Sequence, residues 1–218
     1  MAIGKALVAD GSPATPLAFA AITAVLREVL ANGLIRYSRI TRLEDVQVTV
    51  LPPDRVTVGT DEPNQINLFM YRVAPHSKLR SVRPPEAGAP PRRPPLPLDL
   101  HYLVTAYGGH DFHSEVLLGC AVHLLNSTPV LTSDVMRAAL QRPLSAGQKE
   151  SALSPVRQAL AASSAVEANA RLEVSQEFLA FEELSKLWSV MQAKYRPTVT
   201  YRVSAVNMSF EEDLSFYL

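Results

Sequence analysis

The sequence predicts an α+β domain in which a small antiparallel or mixed sheet is flanked by helices. Alternating segments typical of strands and segments with helical periodicity are interleaved, but not in the strict strand–helix–strand order of a parallel sheet. The first two predicted strands are too close together for a crossover helix, so we expect them to pair as a hairpin. The 218 residues, 47% of them hydrophobic, are enough for one domain with a substantial core.

A first helix is predicted to begin at Thr15-Pro16, where a hydroxyl cap precedes a proline at the first helical position. Apolar residues then recur at helical spacing and surround most of the helix before Arg27, so we expect it to pack on two sides. Asn32-Gly33 is predicted to end this helix, because glycine readily adopts the left-handed cap conformation.

Two strands and an unusual segment follow. Residues 46–50 alternate valine with polar residues, which predicts a half-buried strand, and a second strand is predicted over Asn67–Val73. Residues 74–97 then contain eight prolines, five Lys or Arg and one Glu. Because proline fixes φ and lacks an N–H, this segment is predicted to be an extended arm. The predicted organisation is one domain over residues 1–206, which carries this arm, and a C-terminal arm over residues 207–218.

The strand predicted over Leu98–Tyr107 has two different faces. One face is apolar and contains Leu98, Leu100, Tyr102, Val104 and Ala106. The other face contains Asp99, His101, Leu103, Thr105 and Tyr107. Since the second face mixes apolar and polar residues, we expect it to be partly covered as well.

The second half of the chain predicts further helices and two more strands. Helices are predicted over Phe112–Leu125 with Asp111 as the cap, over Ser133–Leu140, over residues 154–162 and over Phe181–Met191. The last of these places Phe181, Leu184 and Trp188 on one apolar face. A short strand is indicated around Leu172 and Val174, and a final alternating strand begins after Pro197.

Composition and charge argue against several classes of protein. Lys and Arg total 21, as do Asp and Glu, and this balance argues against a general nucleic-acid binder and against electrostatic attachment to a membrane. No run reaches the roughly 18 apolar residues of a membrane span, and the N-terminus is too polar for a signal peptide. Cys120 is the only cysteine and cannot form an internal disulfide, so a cytoplasmic protein is expected.

Candidate catalytic and metal-binding residues are few. Asp99 and His101 lie two residues apart on one strand face and could form half of a catalytic triad, but no G-x-S-x-G motif occurs. The favoured interpretation is a buried Asp–His or Asp–Arg pair that stabilises the strand, with no catalytic residue. His113 and His123 would stand roughly 15 Å apart on one helix, and no zinc or nucleotide motif occurs, so neither a metal nor a cofactor is predicted.

Six motifs occur in an order that is specific as a set: LPPD (51–54), N-x-x-N-L-F-x-Y-R-V (64–73), RRPPLPLDLHYLVTAYG (92–108), TPVL (128–131), FEELSKLWS (181–189) and TVTYRVS (198–204). Together they resemble the N-terminal domain of the cap, or tube-terminator, protein of extracellular contractile injection systems. These systems are phage-tail-like particles of the antifeeding-prophage and virulence-cassette type.

The resemblance implies a non-enzymatic protein with a fold similar to phage tail terminators. It implies that subunits form a sixfold ring on the end of the inner tube distal to the baseplate, end tube growth and hold the last layer of sheath. The implied partners are other copies of the chain, the inner-tube protein and the sheath protein, with no nucleic acid and no membrane. We expect assembly in the cytoplasm and then incorporation into the particle.

Protein interfaces are predicted in the two arms, and the motifs LDLHYLVTAY (98–107) and EELSKLWS (182–189), which match those of the family, are interpreted as scaffold. The predicted interface residues are Arg83, Arg92, Arg93, Pro94, Pro95, Phe210, Glu211, Glu212, Asp213 and Phe216. The predicted scaffold residues are Asp99, His101, Tyr102, Tyr107 and Trp188. Apolar residues on the second strand faces, such as Leu103 and Phe69, are consistent with an apolar ring interface.

Two alternatives belong to other functional classes. The first is a hydrolase that uses Asp99, His101 and either a serine or Cys120, although the chain has only nine glycines for catalytic loops. The second is a monomeric adaptor whose proline-rich arm binds a small recognition domain in the polyproline conformation. Cys120 is more simply interpreted as a small buried hydrophobic residue than as a nucleophile.

Overall fold

A computed structural model of the chain describes residues 17–59, 62–77, 96–141, 160, 166, 169 and 171–208. Among these residues the helices are α1 (Ala18–Thr41), α2 (His113–Asn126), α3 (Ser133–Gln141) and α4 (Phe181–Val190), with a 3₁₀ turn at Pro53–Arg55. The strands are β1 (Gln47–Thr49), β2 (Gln65–Pro75), β3 (Leu96–Tyr107), β4 (Val130–Thr132), β5 (Arg171–Glu177) and β6 (Thr198–Met208).

The strands form one six-stranded mixed sheet in the order β1-β2-β3-β6-β5-β4. Every neighbouring pair is antiparallel except β1 and β2. Buried residues of α1, α2 and α3 join one face of this sheet in the main hydrophobic core. The predicted α+β class, a small mixed sheet flanked by helices, is therefore confirmed.

The predicted hairpin between the first two strands is wrong, because β1 and β2 run parallel with Val48 opposite Ile66. A strand of three residues spans only about 10 Å, so residues 50–64 can return along its length without a crossover helix. The Asn67 carboxamide fixes this connection. It donates to the Leu51 carbonyl at 2.9 Å and accepts from the Leu51 N–H at 3.0 Å and from the Thr49 hydroxyl at 2.9 Å.

Helix α1 is longer than predicted. It continues through Asn32-Gly33 and ends at Thr41, where Arg42 adopts the left-handed conformation with φ 57°. Gly33 has a packing role instead of a capping role. A Cβ at this position would lie 2.2 Å from Leu124 Cδ2 in α2, so glycine allows the two helices to approach closely.

By length and composition alone, α1 is apolar enough to cross a membrane, which differs from the expectation that no segment reaches that length. More than half of its apolar stretch is buried, including Leu26 and Leu30. Its Thr23 hydroxyl lies 2.9 Å from the Tyr102 hydroxyl of β3. This burial against the sheet is the pattern of a core helix.

Strand β3 is the centre of the sheet and is buried from Leu98 to Tyr107. The second face of this strand is therefore covered, as predicted. Its pairing with β6 is irregular near Leu98, where Ala205 has φ 61°. Strict alternation would continue the row of Tyr201 and Val203 with Ala205, but because of this bulge Val206 occupies the next buried position.

The remaining predicted elements mostly occur within a few residues of their expected bounds, and for α2 only the predicted cap is wrong. Asp111 is not the helix cap, since Phe112 occupies that position with φ 68° and no side chain bonds to the helix end. Pro75 and Pro97 of the predicted arm lie in β2 and β3. Thr15-Pro16, the predicted helix over 154–162, the rest of the arm from 78 to 95 and the tail from 209 lie outside the described residues.

The close contact between α1 and α2 predicts that replacing two helical glycines by valine changes the free energy of unfolding differently. Gly33→Val should lower the free energy of unfolding by about 1–3 kcal/mol, because its branched side chain overpacks against Leu124. Gly119→Val in α2 is the matched control, since a Cβ there meets nothing within 4 Å, and it should leave stability unchanged or slightly higher. Urea denaturation monitored by circular dichroism measures both variants, and equal effects would contradict this account.

Candidate functional site

The candidate residues predicted on the second face of β3 do not interact with one another as expected. Asp99 and His101 are both buried, but each bonds to a residue on another strand or at its end. Asp99 pairs with His76, and His101 pairs with Glu177. Asp99 therefore forms a buried Asp–His pair, but its partner is His76, and His101 forms a second, separate pair with Glu177.

Asp99 stabilises the bulge in β6. Its Oδ1 atom accepts the Ala205 N–H at 3.1 Å and lies 2.7 Å from His76 Nδ1. An ionised carboxylate can only accept, so this ring nitrogen carries the shared hydrogen. Positive φ costs alanine on the order of 1 kcal/mol, and the bond from Asp99 holds the backbone in that conformation.

His101 connects three strands on the same face. Its Nδ1 atom lies 2.7 Å from Glu177 Oε2 at the end of β5, and its ring packs edge-on to Tyr71 of β2 at a centroid distance of 6.0 Å. The backbone carbonyl of Glu177 accepts the Thr200 hydroxyl of β6 at 2.6 Å. Burial and the neighbouring Glu177 carboxylate raise the pKa of Tyr71 to about 12, so its hydroxyl is neutral near pH 7.

The two scaffold tyrosines of β3 differ in their bonding. Tyr102 faces the main core, and its hydroxyl lies within bonding distance of Thr23. Tyr107 is also buried, but its hydroxyl has no partner among the described residues. Burial raises the pKa of both phenols, that of Tyr107 to about 12.

An ion pair that sequence reasoning missed lies at the end of the sheet beside Tyr107. Arg196 binds the buried Glu62 carboxylate, and its guanidinium lies 5.7 Å from the centre of the Tyr107 ring. The same carboxylate accepts the Gly108 N–H at 3.0 Å. No motif or periodicity marks Glu62 and Arg196, because they are 134 residues apart in the chain.

Trp188 is buried but lies outside the main hydrophobic core. Its ring packs edge-on against Tyr195 at 5.8 Å, and Tyr195 in turn packs against Phe181 at 6.1 Å. Phe181, predicted on the apolar face of α4, is 67% exposed, and the preceding Phe178 is 91% exposed. The scaffold helix therefore presents aromatic side chains to solvent.

The described residues do not assemble the predicted hydrolase alternative. Cys120 belongs to the core on the opposite face of the sheet from His101, and burial raises the pKa of its thiol, which disfavours the nucleophilic thiolate. His113 bonds to Asn64 at 2.8 Å. Within the described part of the chain, no group of three His, Cys, Asp or Glu residues is arranged to hold a metal ion.

The predicted interface residues in both arms lie outside the described ranges: Arg83, Arg92, Arg93, Pro94, Pro95, Phe210, Glu211, Glu212, Asp213 and Phe216. They stay predictions. Leu103 was expected to contribute to an apolar interface, but it is fully buried, and Phe69 is partly buried. Leu103 is therefore part of the packed interior of the domain.

Comparison with known proteins identifies a family and several similar solved structures. A family model described as the Pvc16 N-terminal domain matches residues 21–216. A sheath/tube terminator of the extracellular contractile injection system PVC, in its extended state, is 14% identical with a TM-score of 0.45, covering 82% of this chain and 56% of that chain. The tube-terminating cap of the anti-feeding prophage is 16% identical with a TM-score of 0.47, covering 82% and 55%.

The chain thus spans about half the length of the solved structures it matches. No curated protein matches it.

A structural role for Asp99 predicts a loss of stability when its carboxylate is removed. Asp99→Ala leaves His76 and the Ala205 N–H without their partner and should lower the free energy of unfolding by about 1–3 kcal/mol. The control is Asp111→Ala, an exposed aspartate that does not cap α2, which should change stability by less than about 0.5 kcal/mol. Chemical denaturation measures both, and an unchanged stability of Asp99→Ala would contradict the role.

Removing the hydroxyls of Tyr107 and Tyr102 should change the free energy of unfolding in opposite directions. Tyr107→Phe removes a buried hydroxyl without a partner and should raise stability by about 1 kcal/mol at pH 7, whereas Tyr102→Phe loses the bond to Thr23 and should lower it by about 1 kcal/mol. Burial raises the folded-state pKa of Tyr107 from 10 to about 12, so between these values the hydroxyl ionises in the unfolded state while it stays neutral in the folded state, and the free energy of unfolding falls as the pH rises from 10 towards 12. Tyr107→Phe should therefore lose less stability than the wild type between pH 10 and 12, as measured by denaturation at several pH values. Stability changes of the same sign for Tyr107→Phe and Tyr102→Phe at pH 7 would contradict the assignment.

Proposed function

Because the chain belongs to the Pvc16 N-terminal domain family, we propose that it is a structural cap protein that forms a ring on the distal end of the inner tube of a contractile injection system. The observation that carries this proposal is the family match over residues 21–216. That range includes all six motifs that carry the resemblance to tube-terminator proteins. The buried, fully packed β3 strand then acts as scaffold, and the arms that leave the domain are the parts available for assembly.

In this role the ring ends tube growth and anchors the last layer of sheath. Six copies of the chain, the inner-tube protein and the sheath protein are the partners. Assembly takes place in the cytoplasm, and the ring then stays in the contractile particle. The balance of 21 basic and 21 acidic residues supports binding to protein surfaces rather than to nucleic acid or an anionic membrane.

The chain is organised as one terminator-like domain over residues 1–206 and a C-terminal arm over 207–218. Beyond the bulge, β6 stays paired with β3 as far as Met208, opposite Leu96, so the first two residues of the proposed C-terminal arm belong to the sheet and end beside the base of the proline-rich arm. Both arms thus leave the sheet from the same end. This common exit favours a function in which they contact neighbouring molecules together.

A non-enzymatic role agrees with how the ionisable residues of β3 are used. Asp99 accepts a hydrogen bond from the Ala205 N–H at the bulge, and His101 bonds to Glu177 at the end of β5. Asp99 and the Nδ1 atom of His101 bond to different partners, so the two side chains are not oriented toward a shared substrate position. No specific observation favours the hydrolase, and the adaptor alternative differs from the cap in predicting a monomer that leaves tube ends unchanged.

Deletion of residues 83–95 tests the cap function. If the arm contacts the ring or tube, the domain should fold normally while tube ends lose their cap and tubes run to variable lengths. Electron microscopy of particles measures the length distribution, and circular dichroism of the purified variant checks the fold. The control replaces the same thirteen positions, 83–95, by a Gly/Ser linker of equal length, which should give the same defect if arm chemistry matters; normal tube lengths in both variants would remove the arm from the proposal.

A further inference from the structure

We infer that Asp99 sets the register of the C-terminal arm, residues 207–218, by holding a one-residue bulge in β6. The bulge decides which side chains of the arm lie on the core side of the sheet and which lie on the opposite side. Asp99 is a positioning residue in this role, because it acts through the backbone of β6. The consequence for assembly rests on the proposed function, in which the arm contacts neighbouring molecules.

The pairing of β6 with β3 shifts by one residue at the bulge. Val203 lies opposite Leu100, whereas Val206 lies opposite Leu98. The two β6 residues between these pairs therefore face the single residue Asp99 of β3. Uninterrupted pairing would move every residue after the bulge to the other face of the sheet, because side chains alternate along a strand.

The apolar residues of β6 change from odd to even numbers at the bulge. Before it, the apolar residues are odd-numbered and lie in or against the core: Val199, Tyr201 and Val203. From residue 206 to residue 218, six of the seven even-numbered residues are apolar and five of the six odd-numbered residues are polar, with Glu212 and Tyr217 as the exceptions. The change occurs where the bulge occurs, so the bulge keeps the apolar row in phase with the core side of the sheet.

The Asp99 carboxylate joins the bulge to the base of the proline-rich arm. Its Oδ1 atom accepts the Ala205 N–H at 3.1 Å and lies 2.7 Å from His76 Nδ1. The His76 N–H donates in turn to the Pro97 carbonyl at 3.0 Å. Because Ala205 has φ 61°, which is unfavourable for alanine, the bulge needs such a bond, and the complete burial of Val206 supports the same register.

The register matters for the arm because of the sequence that follows the bulge. An arm that continues β6 as a strand places Phe210, Leu214 and Phe216 on the core side and Glu211 and Asp213 on the opposite side. The prolines that precede Leu96 lack the N–H groups needed to extend the pairing with β3. The backbone of this strand is then left to pair with a neighbouring molecule, and the bulge decides which row of side chains faces that molecule on each side.

Two pairs of introduced cysteines report the register. Leu96→Cys with Met208→Cys places the thiols opposite each other in the bulged register, whereas Leu96→Cys with Asn207→Cys does so only when the bulge is lost. Directly opposite side chains come within reach of a disulfide, and a side chain one position away points to the other face. Cys120→Ala in every variant removes the native thiol. The rate of disulfide formation in the isolated full chain, measured by mass spectrometry, reports how often each register occurs.

Removal of the carboxylate should shift the register. Asp99→Ala should lower the ratio of the 96–208 rate to the 96–207 rate at least ~10-fold, because a hydrogen bond to a buried charged group is lost from the bulged register only. Asp99→Asn should change this ratio less, since its carboxamide oxygen can still accept the Ala205 N–H.

Two controls separate the register from a general loss of stability. Tyr102→Phe removes the bond to Thr23 from the other face of β3 and should leave the ratio unchanged. Deletion of Ala205 removes the bulge but keeps Val206 opposite Leu98, so Asp99→Ala in that background should fold and should keep the 96–208 pair as the faster one. This second variant also serves if Asp99→Ala alone does not fold, and failure to fold in both backgrounds would contradict a role through the bulge.

The inference is overturned if Asp99→Ala leaves the ratio unchanged, if Tyr102→Phe lowers it equally, or if Asp99→Ala lowers it equally in the chain without Ala205. The register is measured without tubes, and tube length is measured after deletion of residues 83–95. An unchanged register together with uncapped tubes would therefore remove only this inference, and a shifted register together with unaffected tubes would remove only the proposed function.

Discussion

Burial of β3 on both faces is the constraint on which the rest of the structure depends. One face packs Leu100, Tyr102 and Val104 into the core beneath α1 and α2. The other face carries polar side chains that are equally removed from water, and burying such groups is costly unless they are bonded. The strands and connections on either side of β3 supply such bonds to Asp99 and to His101 Nδ1, and these bonds connect the two halves of the chain, whereas the Tyr107 hydroxyl and His101 Nε2 have no partner among the described residues.

The same constraint explains why residues that suggest catalysis have a structural use. Asp99 and His101 would be free to act on a substrate only if a cleft opened beside β3. Instead, Asp99 bonds His76 and the bulge at Ala205, and His101 bonds Glu177. A buried carboxylate or imidazole placed in a sheet centre thus specifies register and bulge position, which a purely apolar row would leave less defined.

The most exposed aromatic side chains of the described residues lie outside this core. The rings of Phe178 and Phe181 are mostly exposed, whereas Leu103 on the central strand is completely buried. Assembly through arms that leave the sheet would not disturb the bonded network on β3.

Sequence periodicity alone determined the α+β class, the two faces of β3 and most helix bounds, because these depend on local patterns of burial. The six ordered motifs also determined the family. Only the tertiary structure decided that β1 runs parallel to β2, that Gly33 packs against Leu124 and that Asp99 and His101 have separate partners. Each of these depends on residues that are distant in the chain and become neighbours only on folding, as with Glu62 and Arg196, so no local pattern could reveal them.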